Sequence, residues 1–291
     1  IRDAAAPEPV AAGSPDLTVR LLGPVEVHRD RENPIPSRAW TIKRALTIFC
    51  YLAVSRDRRA SKERIVDALW GDTRLAVIEK NFHPTISFLR RALNHGHKVP
   101  RHFILYERGA YRLNPAYRYA IDTEEFESGL KEARRLAQAG DAAAALAGYD
   151  AALALYRGPF LEEEYDEWAE APRARFESLH RAALRDAGRL HLESGSADAG
   201  LALLAQAVAL DPLDEEASAE LMLGQGRCGH RAEVEKEFER LRKELREEDS
   251  GPPSPAAQQA HERALRLASE GRKVIPMPRA RGGGSPGRRE E

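Results

Sequence analysis

Three times in the second half of the chain a glycine turn stands directly before an alanine-rich or amphipathic stretch: Gly140-Asp141, Gly195-Ser196 and Gly229-His230. The last two turns are 34 residues apart, the length of one helix-turn-helix unit in a stacked array. The first interval is 55 residues, and its excess contains an acidic stretch from Glu162 to Glu170. Asp211-Pro212 follows the apolar run Ala207-Val208-Ala209-Leu210, where the second helix of such a unit ends. A single helix pair cannot bury its apolar face alone, so neighbours must stack. Residues 118–270 are therefore expected to form an all-α helical repeat domain with an insertion behind the first pair.

The front of the chain has different periods. Leu17, Val19 and Leu21 alternate onto one face of a strand, Gly23-Pro24 punctuates, and Val25 and Val27 resume the alternation. Helical spacing follows, with Trp40, Ala45, Leu46, Phe49, Leu52 and Ala53 in one apolar stripe. A second helix is expected from Ser61 to Trp70: Ser61 is the N-cap, Glu63 lies in the first turn, and Ile65, Val66, Leu69 and Trp70 supply the buried side. A third is expected from Asn81 to Asn94, with Pro84 in its first turn, where a missing amide hydrogen costs nothing. Phe103-Ile104-Leu105-Tyr106 and Tyr111-Arg112-Leu113 flank Glu107-Arg108-Gly109-Ala110 as a short hairpin. The fold class expected is α+β over residues 17–117, a winged helix-turn-helix with an N-terminal β-sheet. It is followed by the all-α, tetratricopeptide-like repeat domain.

The net charge of -1 over 291 residues hides a division. Residues 17–117 hold 19 Lys and Arg against 9 Asp and Glu, whereas residues 118–270 hold 19 against 32. Such asymmetry suits a front half that meets a polyanion, although it also suits mere solubility. Residues 1–16, rich in Ala and Pro, read as a linker, and residues 271–291, with Gly282-Gly283-Gly284 and Arg288-Arg289, as a disordered tail. No apolar run approaches the roughly 18 residues of a membrane span, and no signal peptide is visible. A cytoplasmic location is expected, with Cys50 and Cys228 as buried thiols in a reducing compartment and no membrane partner.

The third helix has the chemistry of a groove reader. Phe82, Ile86, Leu89 and Leu93 share its core face, and Asn81, Pro84, Ser87, Phe88 and Arg91 lie opposite. Arginine can give two hydrogen bonds to guanine, asparagine can do the same with adenine, and phenylalanine can touch a thymine methyl. The candidate base-reading residues are Asn81, His83, Thr85, Ser87, Phe88 and Arg91. Arg38, Lys43, Arg44 and Arg90 are the candidates for phosphate, and Arg108, Tyr111 and Arg112 for the wing. The same spacing also suits an ordinary solvated helix face.

At this point the residues resemble a family. Leu21-Leu22-Gly23-Pro24-Val25-Glu26-Val27, Ile65-Val66-Asp67-Ala68-Leu69-Trp70, Ile86-Ser87-Phe88-Leu89-Arg90-Arg91-Ala92-Leu93 and Gly109-Ala110-Tyr111-Arg112-Leu113 look like the OmpR-type winged helix of Streptomyces antibiotic regulatory proteins (SARPs). Asp122, Phe126, Tyr156-Arg157-Gly158-Pro159-Phe160-Leu161, Glu167-Trp168-Ala169 and Ala209-Leu210-Asp211-Pro212-Leu213-Asp214-Glu215 resemble the bacterial transcriptional activator domain that accompanies it. The resemblance implies a transcriptional activator on repeated promoter half-sites of double-stranded DNA. It implies a homodimer or tandem binding, and contact with RNA polymerase, often through its sigma factor. His83-Pro84-Thr85 and Phe88 depart from the charged or polar groups of many relatives, so no DNA sequence preference carries over.

Two other classes, an enzyme and an interaction scaffold, stand beside this reading. An enzyme lacks support: the chain has no phosphate-binding Gly-x-x-x-x-Gly-Lys-Ser/Thr loop, no dinucleotide Gly-x-Gly-x-x-Gly after a strand and no His-Glu-x-x-His helix. No catalytic residue, metal ligand or cofactor is expected, and His95, His97 and His102 read as a solvated loop. The alternative is a repeat-based interaction scaffold or signal-sensing adaptor whose winged helix does not bind DNA specifically.

Overall fold

The structure, a computed structural model, describes residues 14–29, 33–71, 73 and 75–271. The linker expected at 1–16 and the tail expected at 271–291 lie almost wholly outside the described residues.

Strand β1 (Leu17–Arg20) is the centre of a three-stranded sheet. Antiparallel β2 (Glu26–His28) pairs Val27 with Val19, and parallel β6 (Tyr119–Ile121) pairs Ile121 with the same Val19. Leu17, Val19 and Leu21 are fully buried, as their alternation predicts. Three helices follow: α1 (Lys43–Val54), α2 (Lys62–Trp70) and α3 (Leu75–Ala92). Ser61 caps α2 by accepting the Arg64 amide at 3.3 Å. Ahead of α2, the short β3 (Arg59–Ser61) joins the hairpin of β4 (Ile104–Glu107) and β5 (Ala110–Leu113) in a sheet of order β3-β5-β4. The hairpin turns on Arg108 and Gly109, with φ of 50° and 75°, the double positive φ of a type I′ turn.

The helical half contains α4 (Asp122–Gln138), α5 (Ala142–Leu153), α6 (Glu170–Glu193), α7 (Ala197–Leu210), α8 (Glu215–Arg227), α9 (Arg231–Glu247) and α10 (Pro255–Gly271). The three repeat glycines, Gly140, Gly195 and Gly229, take φ of 83°, 86° and 78° between paired helices. Helix α7 ends at Leu210, directly before Asp211-Pro212.

In space the chain divides into two compact units between Ala183 and Leu184, inside α6. The reason lies in the contacts of the first unit. Asp122, at the start of α4, is buried, and its carboxylate accepts the Leu21 amide at 2.8 Å and the Leu22 amide at 2.9 Å. Beside it the segment 157–161 lies along the chain just past β1. The Gly23 amide donates to the Pro159 carbonyl at 3.0 Å and the Leu161 amide to the Leu21 carbonyl at 2.8 Å. Gly23, at φ 105°, faces Gly158 so closely that a Cβ on it would meet the Gly158 nitrogen at 3.2 Å. Arg173 on α6 fastens the same segment, donating to the carbonyls of Phe160 and Leu161 at 3.0 and 3.1 Å.

Two stability predictions follow from this unit. Asp122→Ala strips the partner from two buried amides and is expected to cost about 2–4 kcal/mol in urea unfolding. Asp122→Asn, which keeps one acceptor oxygen, should lose less. His180 on α6 stacks on Tyr156 with ring centroids 3.9 Å apart, and burial holds its imidazole down at about 4, below the usual 6.5. A depressed histidine contributes stability above its unfolded pKa that is lost as pH falls through the folded one. His180→Phe keeps the stack without the titration, so its unfolding free energy should fall less than wild type between about pH 6.5 and pH 4.

Candidate nucleic-acid interface

Helix α3 begins six residues before the expected Asn81, and this changes its surface. Ile78 extends the buried stripe of Phe82, Ile86, Leu89 and Leu93 by one turn. Pro84 consequently falls in the helix interior, where it leaves the Lys80 carbonyl without its usual amide partner. At about 100° per residue, the line opposite the stripe runs through Lys80, Pro84, Ser87 and Arg91, all exposed. Asn81 and His83 are exposed on its flanks, and Phe88 is half-buried.

Arg91 and Phe88 form one unit: the guanidinium carbon lies 4.2 Å from the ring centroid, close enough for a cation–π contact. Ser87 donates to the His83 carbonyl at 3.0 Å and stays on the surface. Thr85 does not. It is 4% exposed and gives its hydroxyl to the Asn81 carbonyl at 2.8 Å, which removes it from the candidate readers. Its position borders the core stripe of α3.

The wing is joined to α3 by aromatic rings in tilted contact. Tyr111 stands directly across from Tyr106 in the β4–β5 register, with ring centroids 4.7 Å apart, and meets Phe82 at 5.5 Å on its other side. Tyr111 is thereby 4% exposed, a spacer between recognition helix and wing rather than the surface contact expected. Burial also pushes its phenol pKa up. Tyr106 is the exposed member at 56%. Arg108 is exposed at the turn, and Arg59 reaches the wing by donating to the Arg108 carbonyl at 3.3 Å. Arg112 is half-buried, 3.9 Å from Glu107. Arg90 is exposed, while its Nε donates to the Ile104 carbonyl at 3.2 Å, another tie between α3 and the wing.

Lys43 and Arg44 are placed differently from expectation. The acidic segment behind α5 covers the start of α1: Lys43 donates to the Glu163 carbonyl at 3.1 Å, Arg44 pairs with Asp166, and the Thr47 hydroxyl donates to Glu164 at 2.8 Å. Ile42, the N-cap of α1, has no side-chain acceptor to offer, so carboxylates from elsewhere stabilise the positive end of the helix. These two cations are engaged inside the first unit, Lys43 while still exposed and Arg44 half-buried, whereas the exposed Arg38 has no role in this contact.

Lys80, Arg59, Arg64 and Tyr106 are exposed on or beside the same elements and were not singled out from sequence. Lys80 was discoverable, since Ile78 precedes Phe82 by one helical turn. Arg59 was not, because a three-residue strand has no period to read. Among the described residues no group of three His, Cys, Asp or Glu is arranged to hold a metal ion, and no helix is long and apolar enough to cross a membrane.

Comparison with known proteins agrees with this architecture. Residues 121–265 match the model of the bacterial transcriptional activator domain. The transcriptional regulatory protein MoaR1 of Mycobacterium tuberculosis is 25% identical over 251 residues, covering 84% of this chain and 78% of MoaR1. MoaR1 of Mycobacterium bovis matches to the same extent. A solved structure of Mycobacterium tuberculosis EmbR, in complex with a low-affinity phosphopeptide, shares the fold with a TM-score of 0.75 and 21% identity, over 90% of this chain and 69% of EmbR. The winged helix-turn-helix, the helical repeats behind it and the matched activator domain together place the chain among the SARP-like transcriptional regulators.

Proposed function

We propose that this regulator binds promoter DNA in a sequence-specific manner, with α3 in the major groove and the β4–β5 wing on the adjacent backbone. The observation that carries the reading is the exposed line of α3. It presents Lys80, Ser87 and Arg91 opposite a fully buried stripe, with Asn81 and His83 at its edges. Arg91, braced on the Phe88 ring, is the reader of a guanine; Asn81, His83, Ser87 and Phe88 are the other base contacts. Lys80, Arg38, Arg90, Arg59 and Arg108 serve phosphate, which sets register and gives salt-dependent affinity. Arg112 supports the wing from within.

The acidic helices behind act in this reading as an activating surface that contacts RNA polymerase or a second copy of the chain on a repeated half-site. The surplus of 32 acidic over 19 basic residues in 118–270 supports that role, because it keeps this half away from DNA.

Mobility shift on promoter fragments at two salt concentrations tests the proposal. Arg91→Ala should lose about 1–3 kcal/mol of specific binding and little nonspecific binding. Lys80→Ala should weaken both together and flatten the salt dependence. Thr85→Val and Lys43→Ala should change either far less than those two. Negligible, salt-insensitive binding by the wild type would leave the scaffold role instead. Activation is tested by a chain ending at Glu193, which keeps the first unit: DNA binding should persist while activation of a reporter promoter is lost.

A further inference from the structure

Within the first unit, a cavity of about 450 Å3 opens between α1, strand β2, the segment 34–40 and the acidic segment at 161–164. Its α1 wall is Lys43, Leu46, Thr47 and Cys50, spaced i, i+3, i+4 and i+7, so one whole helical face lines a hollow instead of the packed core. Opposite stand Val27, Ile35, Trp40 and Leu161, with Pro24, Pro34 and Pro36 giving that wall a preset backbone that resists collapse. The volume falls within the roughly 300–1,000 Å3 typical of small-molecule sites, and so does the mixture of apolar walls with a few polar groups.

Two of the three carboxylates that line the cavity are engaged by the protein. Glu26 takes Arg20, His28 and Arg157, each at 3.1 Å. Glu164 accepts the Thr47 hydroxyl at 2.8 Å and the Tyr165 amide at 3.1 Å, and Lys43 donates to the Glu163 carbonyl. Cys50 is a buried, neutral thiol, its ionisation opposed chiefly by burial. An anion would meet three carboxylates against one ammonium, and a cation would give up its hydration where Glu26 and Glu164 are already engaged, whereas an uncharged ring system would replace water against apolar walls and the Trp40 ring. The geometry points to a binding site for a neutral, largely apolar ring compound, held between the winged helix and the acidic segment that covers α1. Such an occupant braces the segment 161–164 against α1, which makes the site a route for a small-molecule signal. The inference does not depend on DNA binding.

The test uses the full chain and three anthracenes of one shape: neutral 9-anthracenemethanol, anionic 9-anthracenecarboxylate and cationic 9-anthracenylmethylammonium. Titration calorimetry is expected to show one site per chain for the alcohol, at least about tenfold tighter than for either ion, and only the alcohol should raise the melting temperature clearly. Leu46→Trp fills the cavity from α1, and Ser37→Trp obstructs it from its exposed rim; each should weaken the alcohol by about tenfold or more. The two substitutions lie on different elements, so a folding defect in one leaves the other informative. Tyr106→Trp, on the distant wing strand, should leave binding unchanged. Equal or tighter binding of a charged analogue overturns the proposal. So does failure of all three to bind, or binding by the alcohol that survives the tryptophan at the cavity.

Discussion

The first unit depends on a buried carboxylate. Asp122 ends the short pairing of β6 with β1 and begins α4, and at that junction it accepts the amides of Leu21 and Leu22. Burial raises its pKa, and the amides it accepts work in the other direction. The arrangement persists because the alternative is worse: two amides just past a strand end would be shut from water with no partner. Once this contact is made, α4 is fixed to the N-terminal sheet. The segment 157–161 can then lie on Leu21–Gly23, and the acidic segment behind it reaches α1. The compact unit therefore takes in α4 and α5 and ends inside α6.

This packing redistributes the positive charge of the front segment. Arg58 is occupied by Glu124, Arg20 by Glu26, Arg101 by Asp16, and Lys43 and Arg44 by the acidic segment. These cations work as internal ties, and those of Lys43 and Arg44 reach a segment 120 and 122 residues later. On α3 and around the wing, Lys80, Arg91, Arg59 and Arg108 remain exposed. The tilted ring contacts of Phe82, Tyr111 and Tyr106 tie α3 to the wing.

Much of the fold was legible because it rests on periods. The strand alternation at Leu17 to Val27, the stripes of the three front helices, the hairpin turn at Arg108-Gly109 and the repeat glycines were all visible in order. What escaped was short or distant. Strands β3 and β6 are three residues each, too short to show a period, and their partners are remote in sequence. The start of α3 was obscured by Pro84, which suggested a first turn but is tolerated in the interior. Thr85 and Tyr111 are polar or amphipathic side chains on exposed-looking elements, and neighbours from other elements bury them.

The sequence by itself determined the element types, the buried stripes and the family, because these follow from local propensity and from which residues repeat at 2.0 or 3.6 positions. Only the tertiary structure decided which cations remain available. A basic residue looks the same in sequence whether it faces solvent alone or is held by a segment far along the chain. Lys43 and Arg44 were separated from Lys80 and Arg91 by that difference alone, through the acidic segment that Asp122 and Arg173 bring onto α1.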